Sequence, residues 1–140
     1  MTVDKAQTAD KAAEPNWNPE ILPFRAAAAE GRLILKRCES CGEVHYYPRS
    51  ICPFCFSDRT KWVDASGRGV VYSYSVQRRV PQPYVIAYVT LEEGPTIMTH
   101  IVDLPSLDAV EIGQAVQLTW RPAPEGDFQV PVFQPRAATT

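Results

Sequence analysis

The pattern of apolar and polar positions from residue 66 onward is that of a β protein. Five short runs rich in Val, Tyr, Thr and Ile are separated by turns that contain Pro or Gly, and no helical period passes through them. The runs cover 70–76, 84–91, 96–102, 115–120 and 128–133. Five short strands predict a small antiparallel barrel with the OB-fold strand number over 66–135, with one helical turn within 105–112 and a tail at 136–140.

The chain before residue 32 has a different pattern. Residues 1–16 are rich in Ala, Asp, Lys and Thr without periodic apolar positions, which predicts a disordered tail. Residues 17–31 predict a helical segment with Asn18 as N-cap and Gly31 as its stop. Its apolar residues are large for a surface helix, so they either pack on the rest of this chain or dock on another protein. They are Trp17, Ile21 and Phe24.

Residues 32–65 hold all the cysteines of the chain, as two C-x-x-C pairs. Zn²⁺ prefers about four soft ligands in a tetrahedron, and each C-x-x-C turn directs two thiolates to one point. We therefore expect a small zinc ribbon with a structural ion, because four thiolates leave no open position for a substrate water. The ligands are Cys38, Cys41, Cys52 and Cys55.

The residue after each cysteine pair bears on the geometry of the turn. Gly42 follows the first pair and suits the positive φ that such a turn often needs. Phe56 stands in the matching place after the second pair, which predicts a slight departure from the ideal turn.

Three other interpretations of the cysteines compete with zinc. Two disulfides suit a small secreted protein, but no apolar signal segment precedes the motif, so the cytoplasm is favoured. A catalytic dithiol needs only one pair, usually beside a βαβ pattern that this sequence lacks. Iron stays open as the alternative metal, because its four-cysteine ligand set is the same and the second pair has the C-P-x-C form.

Length and charge limit the classes of partner. With 140 residues, 45% of them hydrophobic, the chain suits one or two small modules, and the ribbon needs support from another module. No apolar run is long enough to cross a membrane. The formal net charge is −2, yet residues 36–79 hold eight basic against four acidic residues. Such a stretch suits a phosphate-bearing ligand or an acidic protein surface, although scattered basic residues are also common on solvated surfaces.

The sequence offers little catalytic machinery of its own. A zinc-bound thiolate is a poor acyl-carrying nucleophile. His45 lies in the ribbon and is a weak candidate for replacing a ligand, whereas His100 lies in a predicted strand, where a lone histidine is usually a wall residue of the barrel. No Ser-His-Asp order, phosphate-binding glycine loop or carboxylate pair stands out. We therefore expect no catalytic residue in this chain.

The order of these motifs resembles one known family, the rubredoxin-like zinc ribbons fused to an acyl-CoA-associated OB fold. The resemblance spans nearly everything from Trp17 to Phe133. Its specificity comes from the order and spacing of the pieces, since each piece alone is weak. The pieces are the helix, Gly31-Arg32-Leu33, the two cysteine pairs with Gly42, Tyr47-Pro48-Arg49, Ser66 to Tyr74, and Gly113 with Val116.

The resemblance implies a function. Family members are accessory subunits of thiolase-superfamily enzymes, including partners of steroid-degrading aldolases and archaeal hydroxymethylglutaryl-CoA synthase assemblies. It implies that this chain has no activity alone and binds a thiolase-fold catalytic subunit in chemistry of the β-oxidation type. Because thiolase-fold chains are commonly symmetric dimers, a two-plus-two assembly follows.

The resemblance also implies CoA or acyl-CoA as a ligand of the complex. The phosphates of CoA are recognised best by bidentate arginines. Arg49 is the favoured candidate, because Pro48 precedes it at an exposed ribbon turn. The full set of candidates is Arg37, Arg49, Arg78 and Arg79.

Single-stranded nucleic acid is the alternative ligand, because zinc ribbons and OB folds both bind it and exposed tyrosines stack on bases. Two observations weigh against it. The sequence pI near 5.7 is the reverse of the usual basic footprint. Tyrosines in strands are also mostly core residues or cross-strand pairs. The tyrosines concerned are Tyr46, Tyr47, Tyr72 and Tyr74.

Overall fold

A short helix, a three-stranded sheet and a closed five-stranded barrel follow one another along the chain. The computed structural model describes residues 19–123 and 128–136. A 3-10 turn, Pro19–Ile21, leads into α1, Leu22–Ala29, and a second 3-10 turn, Leu107–Ala109, confirms the helical turn expected within 105–112. The strands are β1 Ile34–Cys38, β2 Val44–His45, β3 Thr60–Asp64, β4 Arg68–Gln77, β5 Tyr84–Leu91, β6 Thr96–Ile101, β7 Ala115–Pro122 and β8 Gln129–Pro135.

Helix α1 ends where its sequence predicts. Gly31 has φ +76° and donates its N–H to the carbonyl of Ala28 at 2.9 Å. Arg32 donates to the carbonyl of Ala27, also at 2.9 Å. These two bonds form a Schellman motif, whose left-handed residue glycine supplies without a steric cost. Within the described ranges, no helix is long and apolar enough to cross a membrane.

The apolar side of α1 is buried inside the protein. Ile21 and Phe24 are each only 8% exposed and belong to the main core. Phe24 meets the ring of Tyr46 edge-on, with the ring centroids 5.8 Å apart. Packing on the chain itself is therefore confirmed for these two residues, and they are not a docking surface. Trp17 and the predicted N-cap Asn18 lie outside the described residues.

Strand β1 is the centre of the ribbon sheet, which has the order β2-β1-β3. It pairs antiparallel with β3 along its length, from Ile34 opposite Asp64 to Cys38 opposite Thr60. The runs 33–35 and 61–63 predict the strands that enter and leave the ribbon. In the structure both strands are longer, and the first extends through Lys36 and Arg37 to Cys38.

The barrel has the closed order β4-β5-β6-β8-β7, and β7 pairs back with β4. Its strands pair antiparallel except β6 and β8, which run parallel where Ile101 meets Phe133. Exposed and buried residues alternate strictly in β6, as period-two strands require. The mainly β fold with an OB-type barrel is thus confirmed.

The turn between ribbon and barrel is shorter than predicted. The sequence suggests that Ser66 to Gly69 form one turn, but Arg68 and Gly69 already belong to β4. A Cβ at Gly69 would meet the carbonyl oxygen of Thr90 at 2.7 Å. Glycine therefore stands here because β4 and β5 approach closely, and its interpretation as a turn residue is wrong.

One continuous core joins the three parts of the fold. It contains Phe24 from α1, Leu35 from β1 and Phe133 from β8. Trp120 of β7 donates its indole Nε1–H to the carbonyl of Gly31 at 3.1 Å, which ties the barrel to the end of the helix. Packing against the barrel therefore stabilises the ribbon, which is too small to form a sufficient core alone.

Candidate metal centre and surrounding surfaces

The four cysteine sulfurs meet between the two C-x-x-C turns. Cys38 and Cys52 are buried, and Cys41 and Cys55 are exposed. Their Sγ atoms all lie within 4.8 Å of one another, with Cys38 3.6 Å from Cys55 and Cys41 3.7 Å from Cys52. Zn–S bonds of about 2.3 Å in a tetrahedron place the sulfurs roughly 3.8 Å apart. The sulfurs therefore fit a zinc ion.

The two turns have the same backbone geometry. Gly42 N–H bonds to the carbonyl of Cys38, and Phe56 N–H bonds to that of Cys52, both at 2.8 Å. Gly42 has φ +80° and Phe56 has φ +64°. The expected departure of the second turn is therefore wrong, because Phe56 accepts the left-handed conformation that glycine takes freely. For a residue with a Cβ this costs on the order of 1 kcal/mol.

Backbone N–H groups stabilise the thiolate form of the cysteines, which is the form that binds a metal. Those of Cys41 and Ser40 lower the pKa of Cys38 to about 6, against the effect of burial, and the Ser40 N–H lies 3.3 Å from this sulfur. The Glu43 N–H lowers the pKa of Cys41, but burial and the neighbouring thiols outweigh it and raise that pKa to about 12. One thiolate is thus available near neutral pH, and the other thiols give up their protons when metal binds.

A zinc ion in this site is structural. Four sulfur ligands complete the tetrahedral sphere, so no position is left for water or substrate. The ion supplies a cross-link between residues 38–41 and 52–55, in addition to the loop between them and to hydrogen bonds such as that of the Ser40 and Ser57 hydroxyls. His45 lies outside the ligating group, as expected.

His45 is instead a buried residue of the ribbon. It is 6% exposed on β2, opposite Lys36 of β1. Neither ring nitrogen has a hydrogen-bond partner among the described residues. Burial lowers the pKa of His45, the nearby backbone of Arg49 opposes this shift, and the positive charges of Lys36 and Arg49 lower the pKa further. The imidazole is therefore neutral in the folded protein.

The candidate CoA arginines fall into two groups. Arg37 lies on β1, and Arg49 lies in the ribbon loop with its guanidinium 5.5 Å from the ring centroid of Tyr47. Arg78 and Arg79 follow β4, and Arg78 forms an ion pair with Asp108. A phosphate at Arg78 would have to compete with this carboxylate. The two groups therefore belong to different modules, and Arg49 keeps the more open position.

Exposed apolar residues occur on the second cysteine turn. Ile51 is 47% exposed, Phe54 59% and Phe56 78%. This apolar surface lies on a backbone fixed by the metal turn, where the Phe54 N–H lies 3.3 Å from Cys52 Sγ.

A second apolar surface covers the outside of β5 and β6. Tyr88 and Met98 are opposite each other in the register and are 47% and 59% exposed. Next to them, His100 stacks against Tyr84 with ring centroids 4.8 Å apart, and burial lowers the pKa of His100. The interpretation of His100 as a barrel-wall residue is confirmed. Because side chains alternate along a strand, placing Ile97 and Ile101 in the core puts Met98 and His100 on the outside. The sequence analysis did not identify these two residues as part of one surface.

The strand tyrosines lie outside the core. The sequence interpretation makes them mostly core residues or cross-strand pairs, and Tyr72 is 66% and Tyr74 41% exposed, with Tyr74 paired across strands with Ala87. Tyr46 is half-buried and Tyr47 is 50% exposed. Aromatic side chains suit either face of a strand, so composition could not choose between them.

Two protein-family profiles match the chain. Residues 25–60 match the rubredoxin-like zinc ribbon domain of ChsH2, and residues 62–121 match its C-terminal OB-fold domain. These matches and the four-cysteine cluster together support structural zinc.

Curated relatives carry several descriptions. The chain is 39% identical to a probable enoyl-CoA hydratase alpha subunit of Thermomonospora curvata, over 86% of this chain but only 39% of that protein's length. It is 42% identical to a DUF35 domain-containing scaffold protein of Methanocaldococcus jannaschii, over 64% of this chain and 67% of the relative. It is 32% identical to the benzoylsuccinyl-CoA thiolase subunit BbsA of Thauera aromatica, over 66% and 72%.

Solved structures agree with the fold. A chain of the Ltp2-ChsH2(DUF35) aldolase superposes with a TM-score of 0.76 at 37% identity, covering 87% of this chain and 98% of that one. A DUF35 protein of Sulfolobus solfataricus has a TM-score of 0.59 at 17% identity, covering 83% and 89%, and shows the fold alone. The chain therefore belongs to the ChsH2-type, or DUF35, family of zinc-ribbon and OB-fold proteins.

Proposed function

We propose that this chain is a non-catalytic accessory subunit of a heteromeric thiolase-superfamily enzyme that acts on acyl-CoA. One observation carries the proposal: related chains are named as a thiolase subunit and as part of an aldolase, at 32% and 37% identity over most of their length. The subunit stabilises the catalytic chain and helps to hold or release the CoA thioester. We place the assembly in the cytoplasm, in chemistry of the β-oxidation type.

The chemistry of this chain supports a non-catalytic role. Its four thiols are committed to a closed metal site, so a free sulfur nucleophile is not available. His45 is only 6% exposed, so a substrate cannot reach it as a base. The reacting cysteine and histidine are therefore supplied by the partner.

The partner is a thiolase-fold chain, and two copies of each chain form the assembly. The test is coexpression with a thiolase-superfamily chain from the same genome, followed by size-exclusion chromatography and a thiolysis assay. We expect the two chains to elute together and this chain alone to turn over no acyl-CoA. Separate elution, with the catalytic chain fully active by itself, would reject the proposal.

Within this assembly, we propose that CoA phosphates contact the ribbon at Arg49, with Arg37, Arg78 and Arg79 as weaker candidates. Arg49 is exposed, its guanidinium lies 5.5 Å from the Tyr47 ring centroid, and no ion pair holds it within the described residues, so a phosphate can replace solvent there. Arg49→Ala should raise the apparent KM for acyl-CoA about tenfold and leave kcat unchanged. Arg32→Ala, at an exposed arginine that precedes β1, is the control, and an unchanged KM in Arg49→Ala removes Arg49 from the site.

A second candidate function, binding of single-stranded nucleic acid, gains support from the exposure of Tyr72 and Tyr74. The net charge of −2 opposes it. Filter binding at low salt separates the two functions, because phosphate-driven binding is strong there and fades steeply as salt is added.

A further inference from the structure

Phe56 is a residue that folding alone does not explain. Its φ of +64° lies in the left-handed region, where a Cβ approaches the following carbonyl oxygen. Gly42 occupies the matching place in the first turn with φ +80° and no such strain. The Phe56 side chain is 78% exposed, so the fold gains little from burying it. Glycine would therefore serve the isolated chain better at this position.

Phe56 is also the most exposed member of a continuous segment of apolar side chains. Ile51 and Phe54 lie within the same six residues and are 47% and 59% exposed. We call these three residues the second-turn patch. Its backbone is held by the Phe56 N–H bond to the Cys52 carbonyl at 2.8 Å and by the sulfur contact of the Phe54 N–H. Two aromatic side chains on a rigid backbone lose little conformational freedom when they are buried in an interface.

We propose that the second-turn patch is the centre of the interface with the thiolase-fold catalytic chain, with Phe56 and Phe54 inserted into an apolar pocket of that partner. The proposal rests on the proposed function and deepens it. The left-handed conformation of Phe56 costs free energy in the isolated chain, and burial of the phenyl group in the assembly offsets that cost. The two phenyl groups offer roughly 300 Å² for burial, so polar residues around them complete an interface of about 800 Å² per partner.

The names of related chains favour a catalytic chain over a second copy of this chain as the occupant, because they are a thiolase subunit and part of an aldolase. The rim of the patch carries both signs of charge. Asp58 and Arg59 are exposed beside one end, and at the other end the Ser50 hydroxyl bonds to the Glu20 carboxylate at 2.8 Å. The partner surface should therefore combine an apolar pocket with a mixed polar rim.

Three variants separate the docking role from a structural role. Phe56→Gly removes both the phenyl group and the strain, Phe56→Ala removes the phenyl group but keeps a Cβ, and Phe54→Ser removes the neighbouring ring. Met98→Thr, on the exposed outside of β6, is the matched control for loss of apolar surface elsewhere. Each zinc-loaded variant is tested for binding to the coexpressed catalytic chain and for its midpoint of thermal unfolding.

We expect each of the Phe56 and Phe54 variants to weaken the Kd for the catalytic chain at least tenfold, with Met98→Thr binding as the wild type does. Phe56→Gly should raise the thermal midpoint of the isolated chain by about 3 °C, whereas Phe56→Ala should leave it nearly unchanged. Weaker binding together with higher stability is a result that a merely structural residue cannot produce.

Other results overturn the proposal in distinguishable ways. If the wild type binds the catalytic chain and Phe56→Ala binds equally well, the patch is wrong while the proposed function stands. If the wild type does not bind at all, both fail. A lower midpoint in Phe56→Gly shows that the phenyl group serves the fold. Self-association of the isolated chain in sedimentation that Phe56→Ala abolishes makes a second copy the occupant.

Discussion

His45 shows what one buried titratable group does to this protein. It is 6% exposed, and its neighbours on the ribbon are the positively charged Lys36 and Arg49. Burial and these charges lower its folded-state pKa below the ordinary value of 6.5. As the pH falls through that ordinary value, the unfolded chain binds a proton that the folded chain excludes. Stability therefore decreases on the acid side of neutrality.

Replacing His45 tests this linkage. His45→Leu keeps a buried apolar group and removes the titration, so the loss of stability between pH 7.5 and pH 5 should be smaller than in the wild type. Urea unfolding of both proteins at the two pH values measures it. Acid also protonates the metal ligands in both proteins, so only the difference between them counts. Equal pH dependence in wild type and His45→Leu would contradict the prediction.

At the scale of the element, the metal site is what holds the two cysteine turns together. The loop between β2 and β3 contains no strand, and Cys52 within it is fully buried. Hydrogen bonds add to the link, as between the Ser40 and Ser57 hydroxyls at 2.9 Å. This hydrogen bond is exposed, and it contributes far less free energy than four metal–sulfur bonds do.

Loss of one ligand should therefore loosen the ribbon. Cys52→Ser should lower zinc content well below one ion per chain and reduce the free energy of unfolding by about 3 kcal/mol or more, because metal-binding energy is also folding energy. Elemental analysis and chemical denaturation measure both. Ser57→Ala keeps all four sulfurs and should retain full zinc content. No metal in freshly purified wild type, or a red iron chromophore, would show that zinc is the wrong ion.

At the scale of the whole molecule, the ribbon and the barrel share one core. Residues of α1, β1 and the barrel are members of the same buried cluster. The Ala65 N–H also bonds to the carbonyl of Leu33 at 2.8 Å, just before the chain enters the barrel. Burial shared between modules makes their unfolding cooperative.

Removal of zinc should consequently weaken the barrel as well as the ribbon. Hydrogen exchange with and without a zinc chelator measures protection in β1 and in β5 separately. We expect protection to fall in both strands, and Trp120→Phe, which removes the bond to Gly31, to cost about 1 kcal/mol in a single unfolding transition. Full protection of β5 after chelation would instead show two independent modules.

The sequence by itself determined the features that depend on local chemistry. Two C-x-x-C pairs define a metal site because ligand type and spacing are local, and a run rich in Val, Tyr and Ile between turn residues predicts β5 with the observed limits. Gly31 ends the helix for the same local reason, its freedom to adopt positive φ.

Only the tertiary structure decided which surfaces those elements cover. It buried Ile21 and Phe24 against the core while it left Tyr72 exposed, although all three are large apolar or aromatic residues. It also closed the barrel by pairing β7 with β4 and gave Phe56 the conformation of a glycine. Burial and barrel closure depend on contacts between residues that are distant in sequence. The conformation of Phe56 depends on a metal-binding turn whose geometry outweighs the preference of one residue. The local sequence pattern predicts neither.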